Sequence, residues 1–199
     1  MVKLICLKSC VNGLSQYHEK IKSEAEKRVL SNIIKIMFDE KKLAEFTFPI
    51  KETLNILSEL KACKNIDNKE KYELLILSNW SSASFNHVCN SQDSDMQNLI
   101  NYFKRENIFI SGVTKSMKPS NLAYQNVLEH LKKINIKPEE CLMIDDQPEN
   151  IVAATMYCNM QGILVDKTCS NLREELVKQG VLEPKKSTWF SPLSKLAWN

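Results

Sequence analysis

Between Tyr17 and Phe38 apolar residues recur at every fourth position: Ile21, Ala25, Val29, Ile33 and Met37. Glu19, Lys20, Lys22, Glu24, Lys27 and Arg28 fall between them. That spacing predicts an amphipathic helix. Pro49 predicts the first turn of a second helix, with Ile50, Leu54, Leu57 and Leu60 as its apolar stripe. Residues 63–71 are polar and read as a loop. The pattern then shortens. Glu73-Leu74-Leu75-Ile76-Leu77-Ser78 is a brief apolar run bounded by polar residues, as in a strand covered on both faces. Residues 108–111, 141–145 and 162–165 are runs of the same kind. Residues 84–103 are mixed and helical in parts. Pro119 and Pro148 each open a helix, and a last helix is expected over 171–179. Residues 2–7 are also apolar, but over so short a run periodicity does not separate a buried strand from a helix end. The tail after Pro184 has no clear period and is expected to pack on the domain surface.

From residue 73 onward strands alternate with helices. Such alternation predicts β-α-β units, a parallel sheet and a three-layer α/β/α sandwich. Ligands of such sheets gather at the carboxyl ends of the strands. The polar residues that close the strands therefore carry the functional interest: Ser78-Asn79 after the first, Asp145-Asp146 after the third.

Composition narrows the field. The chain has 199 residues, 43% of them hydrophobic, enough for one domain with a real core. The net charge is +3 with Lys and Glu interleaved. No basic stripe marks a nucleic-acid binder. The seven Cys are odd in number and show no C-x-x-C spacing. Neither a disulfide framework nor a zinc site is indicated, and a reducing compartment follows. No run of about 18 apolar residues suggests a membrane span, and residues 1–10 lack a signal-peptide core. A cytoplasmic location is the expectation.

Three features fall where the sheet places a cleft. Ser78 and Asn79 offer a hydroxyl and an amide able to hold a phosphoryl oxygen. Lys118, in Met-Lys-Pro-Ser, offers a compact cation for a carboxylate or phosphate. Asp145 and Asp146 close an apolar strand as hard-oxygen ligands of the type Mg²⁺ prefers. Each has a plainer reading. Ser-Asn is common turn chemistry, a lone lysine is usually solvated, and an acid before Pro148 can cap a helix. The adjacent acids are the most specific feature, because like charges side by side are costly without a cation or donors.

Leu-Ile-Leu-Ser-Asn-Trp (75–80), Ser-Gly-Val-Thr-Lys-Ser-Met-Lys-Pro-Ser (111–120) and Glu-Cys-Leu-Met-Ile-Asp-Asp-Gln-Pro-Glu-Asn-Ile-Val-Ala-Ala (140–154) occur in that order. Together they closely resemble the second, third and fourth motifs of the haloacid dehalogenase superfamily, over about residues 46–166. The resemblance implies a Rossmann-like parallel sheet with a small helical cap. Residues 1–14 would be a first core strand or a cap remnant, 15–48 a helical cap segment, and 49–199 the α/β core. It further implies a Mg²⁺-dependent phosphohydrolase acting on a small phosphorylated metabolite through an aspartyl-phosphate. By that resemblance Ser78 and Asn79 hold the transferring group and Lys118 steadies its charge. Asp146 binds Mg²⁺ directly, Asp145 directly or through water, and Asn150 orients the acids. No nucleic acid or membrane partner is implied, and oligomeric state is left open.

The family's first motif is a strand ending Asp-x-Asp. This sequence has no Asp before Asp39. If residues 2–7 are that strand, the acids align with Lys8 and Cys10, and Lys8 would supply a cation to Asp145 or Asp146 in place of Mg²⁺. If residues 1–14 belong to a cap, the first strand lies upstream. Either way hydrolysis is expected to be impaired, and the alternative is an inactive relative that keeps the fold to bind a ligand or partner. A dehalogenase also needs the first-motif Asp, and the Asp145-Asp146 pair favours the phosphatase type.

Overall fold

The computed structural model describes residues 23–37 and 39–185. Residues 2–14, with Lys8 and Cys10, lie outside that range, as does the tail from 186.

Helices α1 (Glu24–Met37), α2 (Glu40–Glu45) and α3 (Lys51–Ala62) come first. Then follow β1 (Ile76–Ser78), α4 (Ser82–Cys89), α5 (Ser94–Asn101), β2 (Ile108–Ile110) and α6 (Ser111–Thr114). The second half is α7 (Asn121–Lys133), β3 (Leu142–Asp145), α8 (Pro148–Cys158), β4 (Gln161–Leu164) and α9 (Leu172–Lys178). The alternation is as the sequence predicts, and the fold is α/β.

β1 pairs with β2 in parallel, Ser78 opposite Ile110, and β3 with β4, Asp145 opposite Leu164. Among the described residues no strand hydrogen-bonds to both pairs. The pairs are nevertheless one body, because they share a core on each face. Ile76, Ile110, Ile144 and Ile163 pack with Ile56 and Leu60 of α3, Phe85 and Val88 of α4, Leu99 of α5 and Leu176 of α9. Leu77 and Met143 pack on the other side with Tyr124, Val127 and Leu131 of α7 and Ala154 of α8. Neighbouring residues of one strand, Ile76 and Leu77 or Met143 and Ile144, thus serve opposite layers, as the two-residue strand repeat requires. This is the three-layer sandwich.

α1 departs from expectation in its surroundings. Its stripe residues Val29 and Ile33 are 59% and 45% exposed. An amphipathic period fixes which side is apolar, but burial also needs a partner surface. α2 does have a neighbour: Ser81 Oγ, at the start of α4, donates to Glu40 Oε1 at 3.1 Å.

Candidate functional site

Three loops at the carboxyl ends of the strands converge. β1 delivers Ser78 and then Asn79. Ser81 caps α4 by accepting from Ser84 N–H, so the chain turns away directly after the pair. Close packing fixes that turn. A Cβ on Gly112 would lie 2.3 Å from Ser82 N and 2.9 Å from Trp80 O. Only a residue without a side chain fits between α6 and this loop. Gly112 N–H and Ser111 Oγ both donate to Trp80 O. Trp80 itself packs edge-on against Phe85.

Asn79 holds the second loop. Its Nδ2 donates to Lys118 O and its Oδ1 accepts from Lys118 N–H, each at 2.8 Å. Both hydrogen-bonding groups of the Lys118 backbone are thereby satisfied by one amide. The Lys118–Pro119 peptide is cis. The lysine is 5% exposed, so the solvated-lysine reading does not hold for it. Its Nζ meets Asp145 Oδ2 at 2.6 Å, and that carboxylate is fully buried.

The third loop completes the carboxylate's shell. Asp145 Oδ1 accepts from Gln147 N–H at 2.9 Å and from Asn150 Nδ2 at 3.0 Å. Pro148 starts α8, which sets Asn150 one turn along and facing back at the strand end. The amide can point only one way, since its oxygen would repel the carboxylate. Behind it, Tyr124 Oη donates to Asn150 O at 2.8 Å. Burial pushes the Asp145 carboxyl up, but Lys118 and the donors from Asn150 and Gln147 outweigh it and hold the group below its ordinary value. Burial, reinforced by the Asp145 charge, pushes the Tyr124 phenol well above the usual tyrosine range. The phenol is therefore a protonated donor.

Ser78 is 2% exposed and, among the described residues, its Oγ has no hydrogen-bond partner; the same holds for Asn150 Oδ1. A buried hydroxyl left so costs about 1–3 kcal/mol and requires an explanation. A ligand oxygen at the strand end is one.

The structure thus brings together Ser78, Asn79, Lys118, Asp145, Asp146 and Asn150. One Nδ2 hydrogen and the Oδ1 of Asn79 are engaged by the Lys118 backbone, and the amide has a second N–H donor. Gln147 N–H and Tyr124 were not marked in the sequence. The first is a backbone group with no residue-type signal. The second sits on the apolar stripe of α7 and reads as core.

Mg²⁺ takes near-octahedral oxygen ligands, usually one or two carboxylates with waters and phosphate oxygens. Asp145 has donors on both oxygens, so Asp146 would be the carboxylate that a Mg²⁺ ion meets directly. Among the described residues no group of three or more His, Cys, Asp and Glu could hold a metal ion.

A family model described as haloacid dehalogenase-like hydrolase matches residues 9–155. Among solved structures the chain is similar to the crystal structure of a HAD family enzyme from Bacteroides thetaiotaomicron. Identity is 21% and the TM-score 0.48, over 80% of this chain and 77% of that one. No curated protein matches. No helix among the described residues is long and apolar enough to cross a membrane.

Proposed function

The chain belongs to the haloacid dehalogenase-like hydrolases, and from that premise we propose that it binds a small phosphorylated metabolite at Ser78 and Lys118 with impaired hydrolysis. The observation that carries this reading is the Ser78 hydroxyl. It is buried at the end of β1 and has no hydrogen-bond partner among the described residues, next to the residue that clamps Lys118. A phosphoryl oxygen accepting from Ser78 would satisfy it. The Lys118 ammonium, held in place by Asn79, would balance the ligand's charge without reorganising.

The impairment would arise at the first motif. The family reaction starts with an attacking Asp in an Asp-x-Asp pair, and no Asp precedes Asp39. Loss of a covalent nucleophile costs several orders of magnitude in rate. Residues 15–48 would form a helical cap segment, whose Glu40 accepts a hydrogen bond from Ser81.

The second reading is an inactive member kept for binding. The engagement of both Asp145 oxygens by internal donors favours it. A carboxylate so occupied serves an electrostatic scaffold better than a metal site.

Two measurements test the proposal. Titration calorimetry with inorganic phosphate should show binding that weakens in Ser78→Ala. Hydrolysis of an aryl phosphate ester with Mg²⁺ should not exceed that of an Asp146→Asn control. Turnover abolished by Asp146→Asn would overturn the impaired reading, and absence of phosphate binding would overturn the site itself.

A further inference from the structure

Tyr124 lies in the middle of α7 and is completely buried. It belongs to none of the motif segments. Most of its ring packs in the core shared with Val127, Leu131 and Ala154. Its hydroxyl does something a core phenylalanine could not. It donates to Asn150 O at 2.8 Å, within the first turn of α8. The first-turn carbonyls of a helix normally accept from N–H groups one turn on, so this bond adds to the helix ladder from outside. The side chain of the same Asn150 donates to Asp145 Oδ1 at 3.0 Å, and Asp145 holds Lys118. A line of bonds therefore runs from α7 through α8 to the ammonium.

We infer that Tyr124 is a positioning residue for the Lys118–Asp145 pair: its hydroxyl fixes the first turn of α8 so that the Asn150 amide reaches the carboxylate. This rests in part on the phosphate-binding reading, since the function of the pair is to present Lys118. Site residues work only when the shell behind them locks their rotamers, and Asn150 has one locked partner on each side, Tyr124 and Asp145.

The structure contains its own control. Tyr72 Oη donates to Val181 O, also at 2.8 Å. It precedes β1, at the end of the strand away from the site. Tyr124→Phe and Tyr72→Phe each remove one oxygen from one tyrosine-to-carbonyl bond. Melting temperature, the side-chain amide resonances of Asn150 and the affinity for inorganic phosphate should be measured for both. The expected result is that both variants melt somewhat earlier. Only Tyr124→Phe should shift the Asn150 amide signals, speed their hydrogen exchange and weaken phosphate binding, by roughly the fivefold that one hydrogen bond is worth. If Tyr124→Phe leaves the Asn150 signals as Tyr72→Phe does, the inference is overturned. If the wild-type protein binds no phosphate yet the Asn150 signals move only in Tyr124→Phe, the positioning role stands and the phosphate reading falls.

Discussion

Lys118 and Asp145 are 27 residues apart in sequence and meet at 2.6 Å, their side chains 3% and 0% exposed. Neither pays its desolvation alone. The ammonium relieves the carboxylate, Asn79 fixes the lysine backbone, and Asn150 and Gln147 satisfy the second oxygen.

Removing one partner should therefore be far worse than removing both charges. Lys118→Met leaves a buried carboxylate and is expected to cost about 3–5 kcal/mol. Lys118→Met with Asp145→Asn should recover much of that loss, because the asparagine oxygen still accepts from Gln147 and Asn150. Urea denaturation of the two variants checks this. A double variant no more stable than the single one would refute it.

The same pair gives a pH dependence with a definite sign. Asp145 in the fold titrates below its ordinary 3.8. A carboxyl depressed by folding contributes stability that is fully present above the unfolded value and lost as pH falls through the folded one. Stability should thus drop on acidification below about pH 4, and Asp145→Asn should drop less over that window. Denaturation at pH 5 and pH 3 compares them, and equal losses would remove Asp145 as the source.

Ser78→Ala separates binding from folding. Deleting a buried hydroxyl without a partner should leave stability unchanged or raise it by up to about 1 kcal/mol. Phosphate affinity should fall. A clear loss of stability in the melting curve would mean that the hydroxyl has a structural partner.

Gly112→Ala forces a methyl group against the backbone of Trp80 and Ser82. Overpacking against atoms that cannot rotate away should cost about 3 kcal/mol. For a chain of this length that is roughly 6–12 °C in Tm. A variant melting within 2 °C of wild type, as about 0.5 kcal/mol would give, contradicts the packing argument.

Much of this molecule can be read from its residues, for identifiable reasons. The apolar runs at 73–78 and 141–145 mark strands because both their faces are covered, and β1 and β3 fall within them. Pro148 marks the start of α8 to the residue. Asp145 stands out because paired acids demand an explanation. The role of Asn79 does not show, since a side-chain amide that binds a backbone 39 residues away leaves no local pattern. Lys118 looks solvated by type, and only the tertiary fold buries it. α4 and α5 read as one mixed segment because Ser81 and Asp93 cap helices of 8 residues each, too short for a clear period.

The site spans the seam between the two strand pairs, and this sets when it comes into being. Asn79 leaves the ribosome first, Lys118 next and Asp145 last. A nascent chain halted within α7 carries β1 and β2 but lacks the carboxylate that meets the lysine. The anchor for its ammonium arrives only with β3 and is braced only once α8 winds. The proposed ligand site is thus completed only once α8 has been synthesised, and a fragment released before β3 lacks the Asp145 anchor.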